Sequence, residues 1–368
     1  MTTRPKAISL FSGMGGDSLG MKNAGFDVVA FNEFDKHAIE SHKLNFPDSI
    51  LIQDPSQKKD KDKTNIQLIP DEIFSAYKDQ VDLIFAGHPC QGFSNGGKKL
   101  PDDPRNTLFR EFARSARLIK PKYIIGENVD GLLNRKTATG ENYIDIIVKE
   151  FEDIGYNVAY QVCHTVKYGI PQLRKRLVYV GIRKDLDKTY TFPEPLNNGK
   201  TDLPGLQDII KFSMEGAIKI DPDDFDMSSV PKECIMKNMK NKEGEDEQNI
   251  HPYLRLKAKT RDESYANKVH KNLLSFAKRD SPIHCEVIDI RKPSKTIICT
   301  YDHQPRLFVP LQNKKGYFIR CILPDELKQI QGFPVDFQLY GSKKEKIKQI
   351  GNAVPPPLIT QIVTKIIS

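Results

Sequence analysis

The feature that most constrains this chain is a rhythm. Over its first 155 residues, short apolar runs alternate with amphipathic stretches. Ala7–Phe11, Asp27–Glu33, Val81–Gly87 and Pro121–Val129 read as buried strands. Asp17–Gly25, Lys36–Phe46, Asn106–Lys120 and Tyr143–Gly155 carry helical spacing. In the first of these, Leu19 and Met21 turn inward and Gly25 is a stop; in the third, Leu108, Phe112, Ala116 and Ile119 share a face. Strands separated by helices cannot pair as hairpins. Each crossover returns the chain to the same edge, which predicts an α/β fold with a mainly parallel, doubly wound sheet. Such sheets bind ligands beyond the carboxyl ends of their strands.

The rhythm breaks near Tyr190–Pro195. From 196 to 285 the chain is polar and irregular, with acidic clusters at Asp221–Asp226 and Glu243–Glu247 among basic stretches such as Lys268–Arg279. A separate, smaller domain is one reading and solvated decoration the other. Order returns at Lys295–Pro310, a helix is expected at Leu323–Phe333, and Ile350–Ile367 reads as a turn followed by an apolar helix. The net charge of +8 is a modest excess that favours an anionic partner. No stretch approaches the roughly 18 apolar residues of a membrane span. The start, "MTTRPKAISLF", is too short and polar for a signal peptide, so an intracellular protein is expected, cytoplasmic in a prokaryote or else nuclear. The six cysteines form no C-x-x-C pair, so no metal site or disulfide framework is expected. Five of them read as small buried hydrophobes.

Cys90 is different. It follows the strand Val81–Gly87, with Pro89 before it and a loop holding Gly92, Gly96 and Gly97 after it. A thiol beside a polar, glycine-rich loop suits a nucleophile better than a core filler. The next strand delivers Glu127 to the same edge, where a carboxyl group can donate a proton to a ring nitrogen, or simply cap a helix. Gln172, Arg174 and Arg176 alternate before the strand "LVYVGI" and so share one face. Two arginines there form a clamp for phosphate or a base carbonyl, or a solvated pair. Gly13, Gly15 and Gly16 lie between the first strand and helix, where a ligand can approach the backbone. Ser18 breaks the G-x-G-x-x-G spacing of a dinucleotide site, while Glu33 ends the second strand where an acid accepts ribose hydroxyls. Together they suit a nucleoside without a diphosphate, of which S-adenosylmethionine is one.

These residues resemble, in order and over nearly the whole chain, the DNA cytosine-5 methyltransferases of the bacterial restriction-modification type. "LFSGMGG" is similar to the family's methyl-donor turn, "NEFD" to its ribose-binding acid plus an aromatic, and "GHPCQGFS" to its Pro-Cys-Gln loop. "ENV" resembles its catalytic-acid motif and "QLRKR" its Gln-x-Arg-x-Arg motif; "RKPSKTI", "QGFP" and "GNAVPPPL" resemble its late motifs. The resemblance implies a Rossmann-like S-adenosylmethionine-dependent catalytic domain, 1–190 and 316–368, and an irregular target-recognition domain, 191–315. It implies Cys90 as the nucleophile on C6 of a flipped-out cytosine, Glu127 at N3, Arg176 at O2 and Arg174 supporting the loop. It implies a donor pocket of Phe11, Gly13, Gly15, Glu33, Phe34, Asp54, Pro89, Leu108, Asn352 and Val354, with the C-terminal helix returning to the first domain. Gln91, Ser94, Lys98, Lys99 and Gln172 become the candidates for DNA contact. Duplex DNA is the expected partner of a monomer, with any cognate restriction endonuclease acting separately. A tRNA methyltransferase, a non-catalytic DNA-binding relative and an NAD dehydrogenase are the alternatives. Two departures stand out. Asp17 occupies a position that is more commonly apolar, and His88 precedes Pro89, where it either packs or favours the thiolate.

Overall fold

The computed structural model describes residues 4–89, 107–137, 139–196, 203–220, 225–239, 274–278 and 285–368. By contact the chain forms two units, one of Met1–Thr201, Gln331–Gly341 and Ala353–Ser368, the other of Asp202–Ile330 and Ser342–Asn352.

The first unit is built on a seven-stranded sheet. Its strands are β1 (Lys6–Leu10), β2 (Asp27–Asn32), β3 (Ile50–Leu51), β4 (Leu83–Ala86), β5 (Tyr123–Val129), β6 (Tyr156–His164) and β8 (Lys175–Arg183), with β7 (Gln172–Leu173) lying outside it. The order is β3-β2-β1-β4-β5-β8-β6. The strands from β3 to β5 are parallel, whereas β8 runs antiparallel to β5 and to β6. The expected doubly wound α/β sheet is present. The antiparallel return of β8 is an addition to it.

Alternation along the strands divides the interior into two cores. Ile8, Leu10, Ile84, Ala86, Ile124, Leu177 and Tyr179 face one core, whose cover includes α5 (Phe109–Ile119) and α6 (Tyr143–Asp153). Ala7, Leu83, Phe85, Ile125, Val178 and Val180 face the other, beside Met21 of α1 (Gly16–Asn23) and Leu358, Ile359, Ile362, Val363 and Ile366 of the last helix, Pro356–Ile367. The last helix therefore does return to the first unit, and a Cβ at Gly20 of α1 would lie 2.6 Å from Ile359 Cβ. Between α1 and α5 come α2 (Lys36–Asn45), α3 (Asp60–Lys63) and α4 (Asp71–Ser75). Asp35 caps α2 by accepting hydrogen bonds from the His37 and Ala38 N–H groups. Leu19 is half-buried rather than inward, and Leu108 precedes α5, where Phe109 takes the buried place.

The second unit carries its own sheet, of β9 (Ile218–Lys219), β10 (Met236–Lys237), β11 (Leu274–Phe276), β12 (Cys285–Val287), β14 (Leu307–Asn313) and β15 (Gly316–Cys321), beside the short β13 (Ser294–Lys295). It also contains α7 (Pro324–Ile330) and α8 (Lys343–Asn352); the last helix of the first unit is α9. The described residues between 196 and 285 contribute the short strands β9, β10 and β11 to this sheet. Arg320, fully buried, anchors this unit through a two-pronged pair with Glu326 at 2.7 and 2.8 Å and donates to the carbonyls of Ser213, Lys211 and Cys321. Cys163, Cys234 and Cys285 are buried as expected, but Cys299 is exposed and Cys321 half-buried.

Candidate active site

The carboxyl ends of β1, β2, β4 and β5 meet along one edge of the sheet. The turn after β1 is unusual. Phe11 adopts φ 54°, Gly13 φ 53° and Gly15 φ 97°. A left-handed phenylalanine costs about 1–2 kcal/mol, so its surroundings must hold it there. Gly15 caps α1, whose first turn leaves N–H groups unpaired within the helix. A Cβ at Gly16 would sit 2.1 Å from the Val354 carbonyl oxygen, so only glycine lets the Val354 segment cross there.

Glu33 stands at the tip of β2. Its Oε2 accepts the Gly13 N–H at 2.7 Å, and its Oε1 accepts the N–H groups of Phe34 and Asp35 at 2.8 Å each. Burial raises its pKa against those three bonds. The Phe34 ring beside it is 56% exposed, a free apolar face at the turn. Asp54 is buried, and its carboxylate is fixed by its own loop. Oδ1 accepts from the Ser56 N–H at 2.9 Å and hydroxyl at 2.7 Å, and Oδ2 accepts from Gln57 at 2.8 Å. These bonds lower its pKa, Ser56 most. Phe11 and Leu108 pack against the same core. Asn352 ends α8 in the second unit.

Strand alternation gives the edge two faces. On the α1 and α9 face lie Gly87, Glu127 and Arg176. A Cβ at Gly87 would be 3.7 Å from Val354 Cγ2 and 3.8 Å from Glu127 Oε2. Arg176 Nε stands 2.6 Å from Glu127 Oε1, yet its N–H does not point along that line, so the contact is an ion pair rather than a formed hydrogen bond. Burial raises the Glu127 pKa, opposed by Arg176 and then Arg174. Both arginines turn inward rather than standing as a solvated pair. Arg174 donates to the Ala353 carbonyl at 3.3 Å, and Gln172, also buried, donates to Gln331 at 3.0 Å. Asp17 lies on this face too. It is fully buried in the first turn of α1, bonded to the Ser9 hydroxyl, and burial pushes its pKa up to about 7.

On the opposite face lie His88, Asn128 and Tyr179. The imidazole is buried, with Nε2 3.0 Å from the Tyr179 hydroxyl and Nδ1 3.2 Å from Asn128 Nδ2. Because Asn128 Oδ1 accepts the Val129 N–H at 2.8 Å, the amide must present its NH2 to the ring. His88 Nδ1 is then an acceptor and Nε2 carries the hydrogen. Burial lowers its pKa to about 4. His88 is therefore neutral, with both nitrogens occupied, and does not supply an imidazolium to a neighbouring thiolate. None of these three partners was singled out from the sequence for this contact.

Pro89 is half-buried directly after His88, and Cys90, Gln91, Ser94, Lys98 and Lys99 lie outside the described residues. Among the described residues no cluster of histidine, cysteine and acids could hold a metal ion, and no helix is long and apolar enough to cross a membrane.

Comparison with known proteins places this edge in context. The family described as C-5 cytosine-specific DNA methylase matches residues 5–368. The chain belongs to that family. It is a DNA (cytosine-5)-methyltransferase. It is 32% identical to the Type II methyltransferase M1.HphI of Haemophilus parahaemolyticus, over 98% of this chain and 86% of that protein. It is 31% identical to the Type II methyltransferase M.FnuDI of Fusobacterium nucleatum, over 98% and 94%. Among solved structures it shares its fold with a Spodoptera frugiperda DNMT2 variant (TM-score 0.64, 19% identity, 99% of this chain and 100% of that one). The fold of S. pombe Dnmt2 methyltransferase is similar (TM-score 0.61, 17% identity, 98% of each).

Proposed function

We propose that the chain methylates C5 of a cytosine flipped out of a short specific duplex sequence, through a covalent bond between Cys90 and C6. The carrying observation is that Glu127 is held buried beside Arg176 and Gly87, at the end of the strand next to the one that leads to Cys90. The residues also fit a nucleoside donor. Among the described residues Glu33 Oε2 accepts only the Gly13 N–H and keeps a lone pair for a ribose hydroxyl, the exposed Phe34 offers a face for adenine, and the first turn of α1 begins with N–H groups that have no partner within the helix. S-adenosylmethionine, when bound, supplies an electrophilic methyl group.

Unaided C5 is too poor a nucleophile for such a methyl. The Cys90 thiolate adds to C6, and the electron pair of the C5–C6 bond moves to C5. Glu127 donates its proton or a hydrogen bond to N3, and Arg176 holds O2. C5 takes the methyl, the C5 proton leaves to a base, and the C5–H electrons expel Cys90 and restore the ring. The geometry cannot be reached inside a stacked duplex, so the base must leave the stack. By resemblance to the family, Gln91, Ser94, Lys98 and Lys99 are the candidates for DNA contact, the lysines with its phosphates. Residues 191–315 read the sequence, and the full-length match to Type II methyltransferases favours DNA over tRNA and a restriction-modification setting.

Cys90→Ser is expected to abolish incorporation of labelled methyl while DNA binding survives; undiminished incorporation overturns the reading. Parallel assays on duplex DNA and tRNA separate the two substrates.

A further inference from the structure

Gly126 and Tyr179 are direct cross-strand partners in the β5–β8 ladder. They share a face, and the tyrosine ring occupies the space that any side chain at 126 would need. A Cβ there would sit 1.8 Å from Tyr179 Cζ and 2.2 Å from its hydroxyl. The ring thus lies flat across β5 and delivers its hydroxyl to His88, 91 residues earlier. Phe112 and Phe151 brace it from α5 and α6, with ring centroids at 6.3 and 5.8 Å. Asn128 completes the arrangement by donating to both the ring and the carbonyl of His88, the latter at 3.3 Å.

The network joins the ends of β4 and β5 to the middle of β8. His88 is two residues before Cys90, Asn128 is next to Glu127, and Tyr179 is on the strand that carries Arg176. Each of the three reacting groups thus has a neighbour in one buried network on the reverse face of the sheet. We infer that Tyr179, His88 and Asn128 are positioning residues that hold the approach to Cys90 in register with Glu127 and Arg176. This inference rests on the nucleophile reading above. The chemistry supports a geometric role. The imidazole has a defined tautomer, both its nitrogens are used, and the hydroxyl is its only partner on Nε2 among the described residues. Removing that hydroxyl leaves a buried N–H without an acceptor, which the segment can satisfy only by moving. A displacement near 1 Å at a reacting group costs about a hundredfold in rate.

Tyr179→Phe removes one oxygen and keeps the ring. It is expected to slow single-turnover methyl transfer by roughly tenfold or more, while the dissociation constants for S-adenosylmethionine and for duplex DNA stay within about twofold. His88→Gln, which keeps a donor and an acceptor, is expected to retain the parent rate within about threefold; His88→Phe, which keeps only bulk, is expected to fall as far as Tyr179→Phe. The double variant should be no slower than its worse single, because the pair acts as a unit. A mere packing role gives the reverse order, with phenylalanine tolerated at 88 and glutamine not. In histidine 15N spectra, the signals lost in His88→Gln should show an unprotonated Nδ1 that does not titrate above pH 5. A full-rate Tyr179→Phe, or a loss matched by equal weakening of donor binding, overturns the inference. A protein in which Cys90→Ser remains active overturns the nucleophile reading instead, whatever Tyr179→Phe does.

Discussion

Gly16→Ala tests the proposed donor turn with a single methyl group. Two effects oppose one another. Gly16 opens α1 with an ordinary helical backbone, and alanine is favoured over glycine in a helix by about 0.5–1 kcal/mol. Against this, the new Cβ would stand 2.1 Å from the Val354 carbonyl oxygen and 3.0 Å from Phe333 Cζ. A relaxed carbon–oxygen contact needs about 3.3 Å, so one segment must move by roughly 1.2 Å. Neither side yields easily. Val354 leads into α9, whose Leu358 and Ile359 are fully buried, and α1 is pinned by Met21. Overpacking of this kind costs about 1–3 kcal/mol, so the steric effect wins and the thermal midpoint should drop by roughly 2–8 °C. Because Val354 is also a proposed donor contact, affinity for S-adenosylmethionine should fall by about tenfold or more. Differential scanning fluorimetry with and without the donor reads both, since the donor-induced rise scales with the logarithm of concentration over Kd. A midpoint equal to or above the parent's, with an undiminished donor-induced rise, refutes the reasoning.

Asp17→Asn addresses the buried acid in the same turn. The folded pKa of Asp17, about 7, lies above its unfolded value near 3.8, so its contribution to stability is full below about pH 4 and is lost as pH rises towards 7. The parent should therefore lose up to roughly 4 kcal/mol relative to the variant over that window, read as a pH-dependent gap between urea midpoints; a constant gap contradicts the assignment. Glu127→Gln addresses the proposed catalytic acid. Burial keeps Glu127 protonated to higher pH than an ordinary glutamate, so methyl transfer should fall as pH rises through its raised pKa. The amide can donate a hydrogen bond but not a proton, so the rate should drop by about a hundredfold or more and this alkaline limb should vanish. An alkaline limb that persists in the variant assigns it to another group.

The first unit was legible because its central strands are buried on both faces. Leu83–Ala86 is fully buried, and such a strand appears in sequence as an unbroken apolar run. The strand β6 escaped notice for the opposite reason. It is the edge strand, Tyr160 and Gln161 are exposed, and its apolar residues make no continuous run. Part of the sheet of the second unit was hidden by length, since β9 and β10 have two residues each and β11 three, too few for any period. Among the proposed site residues, Glu127 was legible because it lies near the carboxyl end of β5, and Arg176 because it opens β8 two residues after Arg174. The partnership of His88 with Tyr179 was not, because 91 residues separate them and only the β5–β8 register brings them together.

Local rules fail together at one edge of the first unit. Lys120 and Asp187 are left-handed at the ends of helical turns, an ordinary way to stop a helix. Phe11 has no such excuse, for it follows a strand and leads into the glycine turn. Asp17 is buried beside the Ser9 hydroxyl, and Glu127 is buried against an arginine that does not bond it squarely. Each departure costs stability on its own. Their grouping follows from strand alternation. Ser9 of β1, Gly87 after β4, Glu127 of β5 and Arg176 of β8 fall on the same face, with α1 and α9 above them. The reverse face holds His88, Asn128 and Tyr179. A shift of one residue in β5 would exchange Glu127 for Asn128 and bring the acid into contact with the histidine. The exact-fit pair of Gly126 and Tyr179 resists that shift, because only a residue without a side chain can lie opposite the ring. The steric lock on one face thus fixes which face receives the acid.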